Sequence, residues 1–416
     1  MKIISTITAL AFIIIHCALA NTPTWEQWRG PNRNGIIEDQ SFVWPENLKG
    51  VKKIWHKPVS EGYSSPIITD KMVFTVETKD KADEIVRAFD RKSGKQLWEK
   101  SWKGSMKVPF FARKNGSWVR STPVFDKGTL YIGGIRDVLV ALDGQTGQEK
   151  WRVDFVEREK STVPTFGFVS SPVIDQDHLY VQAGAQVVKL KCSDGSKVWG
   201  SMKDDRAMSG SAFSSPVIAE IGGKNQLLTQ TREELAGLDL KSGEVIWRYK
   251  VKAFRGMNIL TPTVIGDTLF TSSYGGGSFL FTLSTDNQGM NVSKTWTNKI
   301  EGYMSSPIKH EGFVYMHGRD KRFHCIDSKT GKVMWSSEKK YSDYASLVAK
   351  NDKILALTAD GNILMIETNS KEFKIIDSVK VSDQSTWAHL ALCGDEIFIR
   401  ELKGIAKFKW NNQYFI

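Results

Sequence analysis

ALDGQTGQEKW, running from Ala141 to Trp151, decides the fold because the chain repeats its pattern. Matching phrases run from Ala88 to Trp98, Lys189 to Trp199, Gly237 to Trp247 and Cys325 to Trp335. Each is eleven residues long, with Gly four places before the closing Trp. A pattern renewed every few dozen residues marks an array of small units, none of which can bury its apolar face alone.

The residues upstream of Trp151 show what one unit is. Pro123-Val124-Phe125 opens it, Asp126-Lys127-Gly128 turns, and Thr129 to Ile132 runs outward. Gly133 to Asp137 loops, Val138 to Leu142 returns, and a Gly turn leads into Glu149-Lys150-Trp151. Short β-branched runs parted by Gly and Asp turns read as a four-stranded antiparallel meander. The opening prolines are Pro66, Pro123, Pro172, Pro216, Pro262 and Pro307, each preceded by Ser-Ser, Ser-Thr or Leu-Thr. Successive gaps are 57, 49, 44, 46 and 45 residues, and fainter copies follow at Ala345-Ser346-Leu347 and Ala388-His389-Leu390. Units of this length with four strands are propeller blades. The expected fold is therefore all-β: an eight-bladed β-propeller of four-stranded antiparallel blades. Seven blades is the alternative, reached by merging the two faint copies.

The eighth unit lacks a fourth strand of its own, whereas Ile54 to Val59 has the look of one and precedes the first unit. Trp55 lies eleven residues before Pro66, the spacing that also separates Trp296 from Pro307. The N-terminal strand is thus expected to complete the C-terminal blade and remove two open sheet edges. Trp55, Trp98, Trp151, Trp199, Trp247, Trp296 and Trp335 are expected to dock blade against blade. Asp90, Asp143, Asp239 and Asp327, eight places before their Trp, should accept turn hydrogen bonds. The fifth unit departs from the pattern, with extra residues between Thr282 and Trp296.

Residues 1–20 stand apart. Lys2 precedes an apolar run from Ile3 to Ile15, and Ala18-Leu19-Ala20 offers small residues at a cleavage site, which is the form of a secretory signal peptide. Lipidation at Cys17 is disfavoured because His16, not a small residue, precedes it. Residues 21–51 read as an N-terminal extension and 52–416 as a single propeller domain, exported to the bacterial periplasm or released. Cys192, Cys325 and Cys393 fall in different units and read as free thiols. Net charge is +11, but without a basic run or arginine-rich arm it describes a solvated lysine surface rather than a nucleic-acid groove.

The Ala-x-Asp-x-x-(Ser/Thr)-Gly-x-x-x-Trp phrase resembles the tryptophan-docking repeat of the PQQ-binding-like β-propeller family, over nearly the whole mature length. Trp25-Glu26-Gln27-Trp28-Arg29-Gly30-Pro31-Asn32-Arg33 resembles the start of a secreted branch of that family. The resemblance implies one of two roles. Quinoprotein dehydrogenases of the family oxidise substrates with PQQ and calcium, and methanol-type members place adjacent cysteines by the cofactor; this chain has no Cys-Cys dipeptide. BamB-like rings are noncatalytic and bind a partner protein. The second role is the expected one here, with no cofactor and no metal, and the PQQ-dependent oxidoreductase is the first alternative.

Residues just before each opening strand and in each middle loop gather on one face of a propeller, around its channel. Tyr63, Arg120, Phe168, Phe213, Arg232, Tyr274, Tyr303, Arg319, Tyr344 and Trp387 are the expected ligand-binding set. Aromatic faces interleaved with arginines suit an envelope protein or peptide, or a glycan as the second alternative. The insert Trp102 to Val119, which contains Lys107, Phe110, Phe111, Arg113 and Trp118, is expected to form a flap beside the mouth. No catalytic residue is expected: the histidines lack zinc-type spacing and there is no Gly-x-Ser-x-Gly elbow.

Overall fold

The structure, a computed structural model, describes residues 22–40, 42–110, 116–204, 212–287 and 289–410. The signal peptide and the insert residues Phe111 and Arg113 lie outside the described residues.

Eight four-stranded antiparallel sheets form the ring. Blade two shows the plan: Val124–Asp126, Thr129–Gly134, Val138–Asp143 and Glu149–Asp154 pair in sequence order from the channel outward. Its middle strands are buried throughout their centres, whereas the fourth is half-exposed and carries Glu149, Lys150 and Arg152. Charged side chains on such outer strands discourage edge-to-edge pairing. The two faint copies are separate blades, Ala345–Lys350 to Ile375–Lys380 and Ala391–Cys393 to Gly404–Trp410, so the seven-bladed alternative is excluded. The last sheet takes its fourth strand from Val51–Pro58, which pairs antiparallel with Gly404–Trp410. One blade is therefore built from both ends of the chain.

Neighbouring blades are joined by the repeated phrase. Trp98 lies over Gly147 of the next blade, and its indole N–H donates to the Gly144 carbonyl at 3.0 Å. The same contact recurs from Trp55 to Arg91, Trp151 to Cys192, Trp199 to Leu240 and Trp296 to Ser328, always to the fourth residue of the following phrase. Trp335 donates to Asn369 of blade seven at 2.8 Å. Glycine is required at the seventh place for two reasons. Gly147 has φ 71°, and a Cβ there would sit 2.6 Å from the Trp98 ring. The aspartates shape the turn: Asp143 accepts the Gln145 and Thr146 amides and the Thr146 hydroxyl. Those bonds favour the carboxylate and lower its pKa.

Trp247 departs from this scheme. Blade five has a long hairpin, Gly277–Asp286 with Gly289–Asn298, in place of the docking turn. The Trp247 N–H turns instead to Gln226 of its own blade, at 2.7 Å, and the hairpin brings Met290 against the same glutamine.

The glycine argument separates two costs. Gly128→Ala, at φ 78° with open space around its Cβ, should lose only about 1–2 kcal/mol, the cost of a left-handed alanine. Gly147→Ala should lose clearly more, and Trp98→Ala should remove most of that excess, giving a double-mutant coupling in urea unfolding.

Candidate functional site

The opening strands surround the channel, and their hydroxyls form a belt. The Ser65 amide donates to the Thr122 hydroxyl at 3.1 Å, Thr122 to Ser171 at 3.1 Å, and Ser171 to Ser215 at 2.9 Å. Thr261 donates to Ser306, and Leu390 to Ser346. The Ser-Ser-Pro repeat thus satisfies amides that face a neighbouring blade rather than a ladder partner. Blade eight has His389 at this place, its Nδ1 2.9 Å from the Leu390 carbonyl. Burial, then the nearby Arg29, pushes its pKa down to about 3 and keeps the ring neutral.

Proline carbonyls point toward the channel and need donors. The opening segment supplies them. The Trp25 amide and carbonyl bond with Ile68 of blade one, and the Glu26 carbonyl accepts the Phe125 amide of blade two. Arg33 donates to Ser171, Pro172 and Pro216 in blades three and four, and Arg29 donates to Pro307 in blade six. The segment leaves along blade seven, where Ile37 bonds to the Ala349 carbonyl at 2.9 Å. Residues 22–37 are therefore a plug in the ring. Both guanidinium groups are fully buried, and desolvation lowers their pKa, to about 10 for Arg29 and about 9 for Arg33, where Arg29 adds to the effect. Both remain charged at neutral pH.

Above the plug lies a cavity of about 140 Å³ with Trp28 on its wall. Tyr63, Arg120, Phe213, Tyr344 and Trp387 line it, with Ile259 and Met304. Tyr63 and Tyr344 each stack with the Trp387 ring, at 5.7 and 5.8 Å, and Trp118 meets Tyr63 edge-on. Burial lowers the pKa of Arg120, whose Nη2 donates to the Gly116 carbonyl.

The other expected residues do not reach this cavity. Tyr274, Tyr303 and Arg319 form a separate cluster, with the guanidinium 3.8 Å from the Tyr274 ring centroid and paired with Glu301. Arg232 is buried behind Phe213, 4.9 Å from its ring, and donates to the Arg255 carbonyl. Phe168 is 2% exposed and packs edge-on against Phe155; Val169 takes the lining position. Val169 is the residue three places before its proline, as Tyr63, Arg120 and Phe213 are, and Phe168 is one place out of that register. Trp102 belongs to the outer strand Gln96–Lys103, not to a flap, and donates to Glu84 at 2.8 Å. Trp28, Arg29, Arg33 and the hydroxyl belt were not among the expected site residues. The Trp-Arg-Gly-Pro opening and the repeated hydroxyls were the available signals.

Blades are also joined on this face by buried acids. The Asp137 carboxylate accepts the Gly184 amide of the next blade at 2.7 Å, and Glu84 accepts that of Ile135. Desolvation raises both pKa values to about 7.

Calcium, which the PQQ alternative requires, takes carboxylate and amide oxygens as ligands. The cavity wall has no Asp, Glu or Asn side chain. Among the described residues no group of three His, Cys, Asp or Glu could hold a metal ion. Cys192, Cys325 and Cys393 are free and sit in different blades.

The ring, its tryptophan docking and its central face define the class of PQQ-type eight-bladed propellers. Solved structures agree in fold. BamB from Moraxella catarrhalis aligns with a TM-score of 0.64 at 14% identity, covering 88% of this chain and 99% of that one. A quinohemoprotein alcohol dehydrogenase from Pseudomonas putida HK5 aligns at 0.62 with 10% identity, covering 95% and 81%. The family model described as outer membrane protein assembly factor BamB matches residues 82–337, and the chain belongs to that family. BamB of Yersinia pestis is 22% identical over 357 residues, 81% of this chain and 84% of the relative. BamB of Shewanella oneidensis is 21% identical, covering 76% and 78%.

Two outcomes are expected. Arg33→Met leaves three buried carbonyls without their donor and should cost about 3 kcal/mol or more in urea unfolding, with Arg33→Lys recovering only part. For Asp137 the folded pKa exceeds its ordinary 3.8, so its contribution to stability is full below pH 3.8 and lost as pH rises toward 7. Asp137→Asn, with an amide oxygen for Gly184 and tolerance of φ 65°, should flatten that slope and melt above the parent at pH 8.

Proposed function

We propose that this chain is an exported, noncatalytic binding ring that takes part in assembling outer-membrane proteins, with its channel face as the recognition surface. The observation that supports this most is the match to the assembly-factor family from the outer half of blade one through blade six. The site chemistry agrees with it. The central face offers stacked aromatics and an arginine, groups suited to binding. The partner is then an envelope protein presenting side chains or a terminus to the channel mouth. The relatives give the glycan alternative no support.

Deleting the gene in its own host should lower folded outer-membrane β-barrels, measured as heat-modifiable bands, and the wild-type gene should restore them. A Tyr344→Ala/Trp387→Ala double variant, folded by its melting curve, should restore them poorly. Unchanged barrels in the deletion strain, or dye reduction by purified protein given PQQ and calcium, would overturn this reading.

A further inference from the structure

We propose that the channel cavity binds a carboxylate carried on a single aromatic ring, held by the hydroxyl belt and Arg120. The inference rests on the channel face being the recognition surface.

The belt supplies the first reason. A hydroxyl has one proton to donate and two lone pairs. Thr122, Ser171, Ser215 and Ser306 each accept a backbone amide, so one lone pair of each is engaged while their protons remain to give. All four line the cavity, together with Ser65, Arg120 and the neutral His389, and no carboxylate does. A wall rich in donors matches a group that only accepts, and an ionised carboxylate is the smallest such group with a planar, two-oxygen edge.

The charge behind the cavity points the same way. The Arg29 and Arg33 guanidinium carbons lie 5.6 and 5.9 Å from the Trp28 ring centroid. Their hydrogen bonds go to carbonyls, apart from one from Arg33 to the neutral Gln27 side chain, so their charges are solvated by dipoles and not cancelled. The field they leave at the cavity is positive, in a setting where water screens little.

Shape sets the remainder of the ligand. The rest of the wall is the stack of Tyr63, Trp387 and Tyr344, together with Trp28. The cavity of about 140 Å³ is close to the roughly 150 Å³ of a protein cavity that takes up benzene. One ring fits, with its carboxylate against the belt. A free aromatic acid and the C-terminal residue of a peptide share this chemistry.

The test is titration of the mature protein, followed by tryptophan fluorescence and calorimetry. The probes are benzoate, benzyl alcohol, the peptide Gly-Gly-Phe and its C-terminal amide. Benzoate or the free-acid peptide should bind at least about tenfold tighter than its neutral counterpart. Arg120→Met should erase that preference while leaving the weak binding of benzyl alcohol unchanged, and Trp387→Leu should weaken both. Tighter binding of benzoate assigns a free acid, and tighter binding of the peptide assigns a chain terminus. Equal affinity for acid and neutral probes, or no binding of either acid at about 10 mM, overturns the proposal. Intact barrel assembly without acid binding would remove this inference alone. Acid binding without an assembly defect would remove the assembly role alone.

Discussion

The structure depends on one contact: an indole ring laid flat on a glycine of the neighbouring blade, with its N–H bonded to that blade's turn. A four-stranded sheet has two faces to bury and too little area to do so by itself. The tryptophan extends each blade's apolar surface over the next, and the hydrogen bond sets its angle. The glycine sets the distance, since any side chain there would separate the sheets. Where blade five lacks the turn, the indole of Trp247 is satisfied by Gln226 and a longer hairpin covers the gap. The exception shows what the contact has to supply.

Placing eight sheets in a circle raises a problem at the centre. Opening strands run side by side around the axis, and groups facing inward have no ladder partner. The chain solves this at two levels. Amides are accepted by hydroxyls of the adjacent blade, and carbonyls are met by the guanidinium groups of Arg29 and Arg33. The same economy gives the cavity its polarity. Hydroxyls that accept from the backbone face the channel as donors, and arginines bonded to carbonyls keep their charge.

The periodic phrase made the fold legible, because eleven residues with fixed Gly and Trp have a geometric meaning wherever they occur. Closure was legible from Trp55, which carries the phrase's spacing at the wrong end of the chain. The central site was only partly legible. Tyr63, Arg120, Phe213, Tyr344 and Trp387 could be placed because each lies three residues before its opening proline, or before the leucine that replaces it in the last two units. Phe168 and Tyr303 lie four residues before their prolines rather than three, and Val169 and Met304, at the common spacing, take the lining positions instead. Residues 21–51 read as an extension because nothing in a non-repeating segment says that part of it, residues 22–37, returns to the axis. Arg29 and Arg33 are surface residues by type, and only the convergence of carbonyls from distant blades explains their burial.

That convergence bears on how the molecule comes apart. In a simple array each unit touches its neighbours alone, and melting can proceed piecemeal from a weak end. Here a single short segment grips blades one, two, three, four, six and seven at once. Loosening any of them withdraws a partner from the rest, and the strand that seals blade eight follows on the same stretch of chain. The plug therefore acts as a common axle, and it turns a string of separately meltable parts into one cooperative body.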